Sequence, residues 1–481
     1  MYFCLVFIYA STIMTSIKFG TDGWRAIIAK EFTTDNVARV AWATAIWLLK
    51  NNKENTVVVG HDCRFGGELF AEVTTKVLTH HGVKVKLAKD FVSTPMVSLG
   101  VVKEAAQLGV VLTASHNPPA YNGYKLKGHF GGPLQPELVQ EIEDIIPEKI
   151  DFDWESVKME DLVSNGMVTY VDLETMYIKH VEENFDLEAI KNCGLNFAYD
   201  AMYGAGQNVF KRILPDVKLM HCDNNPSFMG QAPEPIHKNL IPFSNMIKET
   251  GNVNCGLATD GDADRIGLYN STGEFVDSHH IILLLIKYLV EVKKLGGKVV
   301  AAFSVTPRLK KMCEHFGLEL EVTKIGFKYV AGIMINEDVL LGGEESGGIA
   351  IKGHIPERDG IWMGLVIWEY MAKSGKTLEE LIKEVYEIVG DFAFNRNDLH
   401  LDEAVKQDVI AKCKSNAFNA FGGYKVENIE TIDGYKFHFA NNEWVMIRPS
   451  GTEPVLRVYA ESSTLAGANA ILEATKKTVL A

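Results

Sequence analysis

Four short polar segments carry side chains whose types and spacing could do chemistry. The first is T-A-S-H-N-P at 113–118, where Ser115 closely follows an apolar run at 109–112. A hydroxyl at such a turn is a candidate nucleophile, with His116 beside it. A hydrolase nucleophile elbow would need G-x-S-x-G, and neither flank of Ser115 supplies the glycine. Taken alone, the segment is also typical of an ordinary Ser-rich turn.

The second segment, D-G-D-A-D-R, places carboxylates at Asp260, Asp262 and Asp264. Such carboxylates repel one another unless a cation offsets them or water solvates the turn, and oxygen ligands suit Mg²⁺ or Ca²⁺. An EF-hand is excluded, because its sixth position requires Gly and here holds Arg265. We favour Mg²⁺, since three carboxylates leave an open position that a phosphate on Ser115 could fill.

The third and fourth segments are suited to a sugar and to a second phosphate. In G-G-E-E-S-G-G at 342–348, glycines permit close backbone approach, and Glu344 with Ser346 could bind vicinal sugar hydroxyls. In R-P-S-G-T-E-P at 448–454, backbone N–H groups and an arginine could bind an anion. The candidate phosphate ligands there are Arg448, Ser450, Gly451 and Thr452, with Arg457 five residues beyond. An ordinary turn is the alternative in both cases.

Short β-branched runs alternate with helical patterns through about residue 380, which predicts parallel sheets covered by helices and an α/β fold class. The predicted strands are 56–60, 83–87, 109–112, 195–199, 256–259, 298–303, 318–322 and 339–341, and the predicted helices are 35–49, 68–80, 279–292 and 307–315. After residue 392 the composition changes to a smaller α+β pattern. We expect four domains, at 14–150, 151–275, 276–390 and 391–481. Each would carry one of the four segments, around a central cleft.

Composition limits the possible partners. The chain of 481 residues has a net charge of −14, which repels nucleic acid and anionic lipid, so neither is an expected partner. The apolar stretch Met1–Ala10 is about half the length that spans a bilayer. It lacks the basic start of a secretory signal, and we expect translation to begin at Met14. Seven scattered cysteines favour a reducing compartment without structural zinc, so we expect a cytoplasmic protein.

Together the four segments resemble the motifs of the α-D-phosphohexomutase family, the phosphoglucomutases and phosphomannomutases, in the family order. The resemblance runs from F-G-T-D-G-W-R at 19–25 to Arg457. It implies a heart-shaped protein of three similar mixed α/β domains and a smaller C-terminal domain. By position, Ser115 would carry the phosphoryl group, and Asp260, Asp262 and Asp264 would hold Mg²⁺ against it.

The same resemblance implies roles for further residues. Lys125 would transfer a proton, with His116 and Arg25 nearby, and Arg265 would orient the site. Gly326, Phe327 and Lys328 match a substrate-specificity loop, while Glu344 and Ser346 would contact sugar hydroxyls. The phosphate that does not react would be held by Arg448, Ser450, Gly451, Thr452 and Arg457, and the remaining expected neighbours are His354, Arg358 and Asp359.

The implied reaction interconverts hexose 1-phosphate and hexose 6-phosphate through a hexose 1,6-bisphosphate, with Mg²⁺ as cofactor and glucose 1,6-bisphosphate as activator. Glu345 matches the phosphoglucomutase form of the third motif and favours glucose phosphate. Phosphomannomutase, dual and phosphopentomutase activities stay open. A phosphatase, or a catalytically silent sugar-phosphate-binding phosphoprotein, is the alternative of another class. The expected partner is a small-molecule sugar phosphate, and no obligate protein partner is inferred.

Overall fold

The computed structural model describes residues 16–20, 22–52, 54–449 and 455–480. Its first sheet contains β1 Trp24–Ile27, β2 Thr56–His61, β3 Lys84–Ala88, β4 Leu108–Leu112, β5 Tyr121–Gly128 and β6 Val168–Val171. The strand order is β1-β5-β4-β2-β3-β6, with a parallel centre and antiparallel pairing of β4 with β5 and of β5 with β1. Strand β6 lies after residue 150, where the sequence predicts the first boundary.

Five helices accompany this sheet: α1 Thr34–Asn51, α2 Gly67–His80, α3 Thr94–Lys103, α4 Pro136–Glu143 and α5 Met159–Ser164. Helix α1 begins after Thr33, whose side chain accepts a hydrogen bond from the N–H of Asn36. This cap satisfies one of the backbone donors that a helix start leaves free. The apolar sides of α1 and α2 are buried in a shared core with the strands.

The second sheet contains β7 Phe197–Asp200, β8 Lys218–Met220, β9 Cys255–Thr259, β10 Ile266–Tyr269 and β11 Phe275–Val276, in the order β11-β10-β9-β7-β8. Its helices are α6 Leu173–Asn184, α7 Leu187–Asn192, α8 Val209–Ile213 and α9 Ile241–Thr250. Strands β9 and β10 are antiparallel neighbours. The three aspartates therefore lie in the short connection at the carboxyl end of β9.

The third sheet contains β12 Lys298–Ala302, β13 Leu320–Thr323, β14 Val339–Gly343 and β15 Ile349–Ile351, in the order β13-β12-β14-β15. Its helices are α10 Ser278–Glu291, α11 Leu309–Phe316, α12 Phe327–Met334, α13 Gly360–Ser374 and α14 Leu378–Val389. Helices α10 and α13 are buried along most of their length, and α13 also contacts β9 and β10. One hydrophobic cluster therefore joins the second and third units.

The C-terminal unit contains β16 Ala393–His400, β17 Ala420–Phe421, β18 Tyr424–Lys425, β19 Asn428–Glu430, β20 Tyr435–His438, β21 Trp444–Pro449 and β22 Val455–Ser462, with α15 Glu403–Lys414 and α16 Leu465–Val479. Five strands form an antiparallel sheet in the order β16-β22-β21-β20-β19. Phe303 of the third unit packs with Trp444, Met446 and Tyr459 of this sheet. The predicted α/β class with a smaller C-terminal α+β unit is confirmed.

The predicted elements agree with the structure to within two residues at each end. The three boundaries between domains remain a prediction. Within the described residues, no helix combines the length and apolar character needed to cross a membrane.

Candidate active site

Ser115 lies in the turn that follows β4, at the carboxyl edge of the first sheet. Its φ of 52° is in the left-handed region, which a residue with a side chain rarely adopts. The side chain is 1% exposed, and its hydroxyl donates a hydrogen bond of 2.7 Å to Oδ2 of Asp260. The turn thus points its hydroxyl at the loop after β9, and the predicted nucleophile meets the predicted metal site.

The three aspartates form a compact, fully buried group. One ligand oxygen from each of Asp260, Asp262 and Asp264 lies within 4.8 Å of the others. Oδ1 of Asp262 and Oδ1 of Asp264 are buried without a hydrogen-bond partner among the described residues. Burial and the two neighbouring carboxylates raise the pKa of Asp260 well above its usual range. Buried carboxylate oxygens without donors are suited to a hard divalent cation, so these residues fit Mg²⁺.

Lys125 projects from β5 into the same group and is completely buried. Its Nζ lies 2.8 Å from Asp262, 3.2 Å from Asp264 and 2.9 Å from Asp22. Burial alone would lower the pKa of Lys125, but the three carboxylates outweigh it and raise the pKa above its usual value. The lysine is therefore a charged donor beside the loop of three aspartates.

Arg25 and His116 flank the Ser115 turn. Arg25 donates a hydrogen bond of 2.8 Å to the side-chain oxygen of Asn117, and its guanidinium lies 3.9 Å from Asp22. Burial, together with the nearby cations Arg265 and Arg25, holds the pKa of His116 well below its usual value. Burial and these cations therefore favour the neutral form of the His116 imidazole.

The third segment reaches the site through Glu344, at the end of β14. Its Oε1 accepts a hydrogen bond of 2.9 Å from the N–H of Gly326, the residue before α12. Burial raises the pKa of Glu344, although Arg358 and Arg265 oppose this. The predicted sugar loop and the predicted specificity loop are thus in direct contact. Ser346 is half-buried in the same turn.

Arg358 connects all three α/β units. Its NH2 group donates a hydrogen bond to Asp22 and lies 2.6 Å from the carboxylate of Asp264. Its NH1 group lies 3.9 Å from the carboxylate of Glu344. The guanidinium also lies 5.3 Å from the ring centre of Phe327. Arg358 therefore holds together the N-terminal segment at Asp22, the aspartate loop at Asp264 and the third segment at Glu344.

His354 and Asp359 form a separate buried pair, with 3.0 Å between His354 Nε2 and Asp359 Oδ2. Tyr177 also donates to Asp359, and the ring of His354 stacks on Trp362 at 3.8 Å. Lys328 lines a cavity of about 130 Å³ with Asp22 and Glu143 of the first unit. Lys328, expected in the specificity loop, therefore contributes to a cavity beside the N-terminal segment. His354 and Asp359, two of the expected neighbours, support the start of α13.

The fourth segment is described in part. Arg448, on β21, lies 3.2 Å from Oδ2 of Asp433, which also accepts a hydrogen bond of 2.9 Å from the N–H of Ile325. Arg457, on β22, is paired in register with Arg448. The strands therefore place two arginines side by side, tied to the start of the specificity loop. Ser450, Gly451 and Thr452 lie outside the described residues.

A chain of charged side chains crosses from the second unit to the fourth. Arg265 lies 3.9 Å from Glu234, and Arg396 of β16 lies 3.9 Å from the same carboxylate. Arg396 is also 3.6 Å from Glu345 of the third segment. Burial raises the pKa of Glu345, and Arg396 opposes the shift. Arg265 and Glu345 therefore contribute to contacts between units.

Sequence reasoning missed several residues of this site. Asp22 stood inside a recognised motif but received no role, although it contacts Lys125 and Arg358. Thr94 donates a hydrogen bond to Asp262 from the start of α3. Arg64 bonds to the Ser115 turn from the loop after β2. A polar residue directly after a predicted strand was the available signal for Arg64, because ligand sites lie at that edge of a sheet.

Comparison with known proteins agrees with this arrangement. Models described as phosphoglucomutase/phosphomannomutase α/β/α domains I, II and III match residues 16–152, 175–273 and 277–389, and the model of the C-terminal domain matches 397–477. A phosphoglucomutase/phosphomannomutase of Thermococcus kodakarensis is 30% identical, over 95% of this chain and 96% of its own. A phosphoglucosamine mutase of Methanococcus vannielii is 31% identical, over 90% of this chain and 93% of its own.

Solved structures give the same result. A Thermus thermophilus protein assigned as a phosphomannomutase superposes with a TM-score of 0.85 at 33% identity, covering 98% of this chain and all of its own. The Paramecium phosphoglucomutase parafusin shares the fold, with a TM-score of 0.80 at 20% identity, over 97% of this chain and 96% of its own. All four domain models match in order along the chain, and the chain therefore belongs to the phosphoglucomutase/phosphomannomutase family, the α-D-phosphohexomutases, which are intramolecular phosphotransferases.

Proposed function

We propose that the protein interconverts glucose 1-phosphate and glucose 6-phosphate through a phosphoserine at Ser115. The observation that carries this proposal is the hydrogen bond of 2.7 Å between the Ser115 hydroxyl and Asp260, inside a group of three buried carboxylates. A hydroxyl held against a cation site is arranged to receive a phosphoryl group and pass it on. A simple structural serine would not require that neighbourhood.

Asp260, Asp262, Asp264 and the phosphorylated Ser115 would hold Mg²⁺. When bound, this cation would offset negative charge on the transferring phosphoryl group, because phosphoryl transfer depends mainly on positioning and electrostatics. The free Oδ1 atoms of Asp262 and Asp264 support the assignment.

The chain's own cations complete the site around the reacting group. Lys125 is a charged donor fixed by three carboxylates, so it is suited to a phosphoryl oxygen or to proton transfer with the substrate hydroxyl. Arg25 and the neutral His116 would flank the transferring group. Arg265 would orient it from the metal loop.

The sugar and the second phosphate would be held on the opposite side of the cleft. Glu344 and Ser346 would bind sugar hydroxyls, and the loop 326–328 would contact the ring. The non-reacting phosphate would be held by Arg448, Ser450, Gly451, Thr452 and Arg457. Because each phosphate in turn must reach Ser115, the bound 1,6-bisphosphate would rotate in the cleft between the two transfers. Glucose 1,6-bisphosphate added in small amounts would phosphorylate Ser115.

The charge balance of the sugar loop favours a neutral hexose. The carboxylate of Glu344 lies 3.9 Å from the Arg358 guanidinium. The carboxylate of Glu345 lies 3.6 Å from the Arg396 guanidinium. Carboxylates that are already paired give little extra attraction for an ammonium group at C2. Glucosamine phosphate is the second candidate, because several relatives carry the name phosphoglucosamine mutase. Mannose phosphate is the third.

A coupled assay tests the proposal. Glucose 1-phosphate is supplied with Mg²⁺ and catalytic glucose 1,6-bisphosphate, beside parallel reactions with glucosamine 1-phosphate and mannose 1-phosphate, and inorganic phosphate is measured in each. We expect hexose 6-phosphate without phosphate release, the highest kcat/KM for glucose, and no turnover by Ser115→Ala. A higher kcat/KM for glucosamine would overturn the glucose assignment, and stoichiometric phosphate release would indicate a phosphatase. Binding without turnover of any sugar would indicate the silent phosphoprotein.

A further inference from the structure

Asp62 and Arg64 lie in the loop after β2, next to the loop that contains Ser115. Strands β2 and β4 are parallel neighbours, so their carboxyl ends bring the two loops together. The side chains are buried, with 1% of Asp62 and 3% of Arg64 exposed. A charged pair with so little exposure must be satisfied within the protein.

Arg64 donates hydrogen bonds to three backbone carbonyls of the Ser115 loop and to that of Tyr121, the first residue of β5. Its NH1 lies 2.9 Å from the oxygen of Pro118 and 3.1 Å from that of Tyr121. Its NH2 lies 2.5 Å from the oxygen of Ser115 and 2.6 Å from that of Asn117. A planar guanidinium supplies this set of directed donors, and a lysine ammonium cannot span it.

Asp62 holds the other side of Ser115. Its Oδ2 accepts a hydrogen bond of 2.5 Å from the Thr113 hydroxyl, whose oxygen accepts one of 2.9 Å from the N–H of Ser115. Asp62 also fixes Arg64 through two contacts. Its Oδ2 lies 3.3 Å from Nε of Arg64, and its Oδ1 accepts a hydrogen bond of 2.9 Å from the backbone N–H of Arg64. Both the N–H and the C=O of Ser115 are therefore tied to one acid–base pair.

The conformation of Ser115 explains why such ties are needed. A φ of 52° is unfavourable for serine, so the turn must be held by its surroundings. Arg64 also lies 5.0 Å from the ring centre of Phe228 in the second unit. The same side chain therefore connects the nucleophile turn to the unit that carries the aspartates.

We propose that Asp62 and Arg64 form a clamp that holds Ser115 in its left-handed conformation, and that Arg64 is a positioning residue for phosphoryl transfer. The transfer part rests on the proposed function. The conformational part does not, because it concerns the backbone of Ser115 alone.

The experiment compares wild type with Arg64→Lys, which keeps the charge but loses the fork of donors. Mutase kcat and KM are measured with glucose 1-phosphate, and crystal structures of both proteins give φ of Ser115. Arg39→Lys is the control, since Arg39 donates to the carbonyl of Pro147 in the same unit. We expect kcat of Arg64→Lys to fall about 100-fold with KM within about threefold, because small misplacement of a reacting group has that effect. Ser115 should leave the left-handed region, and Arg39→Lys should match wild type.

Each outcome decides the proposal. A kcat of Arg64→Lys within threefold of wild type, or an unchanged φ of Ser115, overturns the clamp. An inactive wild type contradicts the proposed function, and the two crystal structures then still decide whether Arg64 holds the turn. If Arg64→Lys does not fold, Thr113→Val removes the link from Asp62 to the N–H of Ser115. We expect kcat of that variant to fall roughly five- to tenfold, and an unchanged kcat overturns the clamp.

Discussion

The hydroxyl of Ser115 is hydrogen-bonded to the carboxylate of Asp260 at 2.7 Å, across the interface between the first and second sheets. Each residue follows a strand, β4 and β9 respectively, and the two strands belong to different sheets. The site therefore exists only when the two units are packed together. Stability of the interface between units and function of the site are consequently linked.

The aspartate group predicts a metal-dependent gain in stability. Lys125 contacts Asp262 and Asp264, but both carboxylates still repel Asp260 when no divalent cation is bound. A cation that binds only the folded state stabilises it by about 2.7 kcal/mol at one hundred times its dissociation constant. We expect the melting temperature to rise with MgCl₂ and to fall with EDTA. The variant Asp262→Asn should lose most of this response, whereas Asp172→Asn, at a helix cap far from the group in sequence, should keep it. Equal melting temperatures of wild type in MgCl₂ and EDTA would contradict a folded-state cation site.

Arg358 predicts a large stability effect from one side chain. Its removal takes one cation from Asp22 and Asp264, which keep Lys125, and the nearest cation from Glu344. Breaking a buried pair typically destabilises by about 3–5 kcal/mol. We expect Arg358→Met to lower the urea midpoint strongly. The matched control is Arg212→Met, because Arg212 forms a partly exposed pair with Glu174 that contributes below about 1 kcal/mol. Similar midpoints for the two variants would argue against the connecting role of Arg358.

The fold could be predicted from the sequence where burial follows a simple pattern. The run at 298–303 is apolar and β-branched, and it forms β12 at Lys298–Ala302. Helix α13 escaped prediction because it is buried on nearly every side and shows no polar face. Strand β5 escaped because Lys125 and Lys127 are charged residues in a strand that is buried from Asn122 onward. Their charges are offset by acids far away in sequence, which no local pattern reveals.

The candidate site divides in the same way. Ser115, Asp260 and Glu344 could be predicted because each lies in a short motif after an apolar run. Asp22 and Arg64 could not be given roles, since their partners are contributed by other loops and other units. Local spacing identifies groups that react, whereas groups that hold them in place depend on the folded arrangement.

Asp433 predicts a coupling between phosphate binding and the specificity loop. Its Oδ2 accepts hydrogen bonds from the N–H of Ile325 and from the guanidinium of Arg448. The variant Asp433→Ala removes both hydrogen bonds, so neither group is held in place. If Arg448 holds the non-reacting phosphate, we expect KM for glucose 1-phosphate to rise about tenfold, a loss of about 1.4 kcal/mol, with kcat changed less. Asp408→Ala, which breaks an exposed pair with Lys412, is the control. An unchanged KM would mean that Asp433 does not position Arg448 for substrate.

Lys436 predicts a pH dependence of stability at the interface between the third and fourth units. Its Nζ donates to the carbonyl of Phe303 at 2.6 Å and lies 4.6 Å from the ring centres of Phe303 and Trp444. Burial lowers the pKa of Lys436 from 10.5 to about 8, although Glu430 and Glu461 oppose the shift. Between these two values the unfolded chain binds the proton that the folded protein has released. The contribution of Lys436 to the free energy of unfolding therefore rises with pH through this window, by about 3 kcal/mol in total.

The variant Lys436→Met isolates this effect. Methionine keeps an apolar stem and removes the buried ammonium. The increase in the free energy of unfolding of the variant over wild type should therefore be largest below pH 8. As the pH rises from 8 to 10.5, wild type should recover and the difference in urea midpoint between the two proteins should shrink. Lys412→Met, at a partly exposed lysine, should give a curve parallel to wild type. Burial also raises the pKa of Tyr459, in the same apolar cluster, so its contribution to stability falls once the unfolded tyrosine ionises near its usual pKa of about 10. Both proteins keep Tyr459, so this contribution cancels in the difference between them. A constant difference between wild type and Lys436→Met across the window would show that Lys436 keeps an ordinary pKa, and that the ring and carbonyl contacts are sufficient to hold its charge inside the interface.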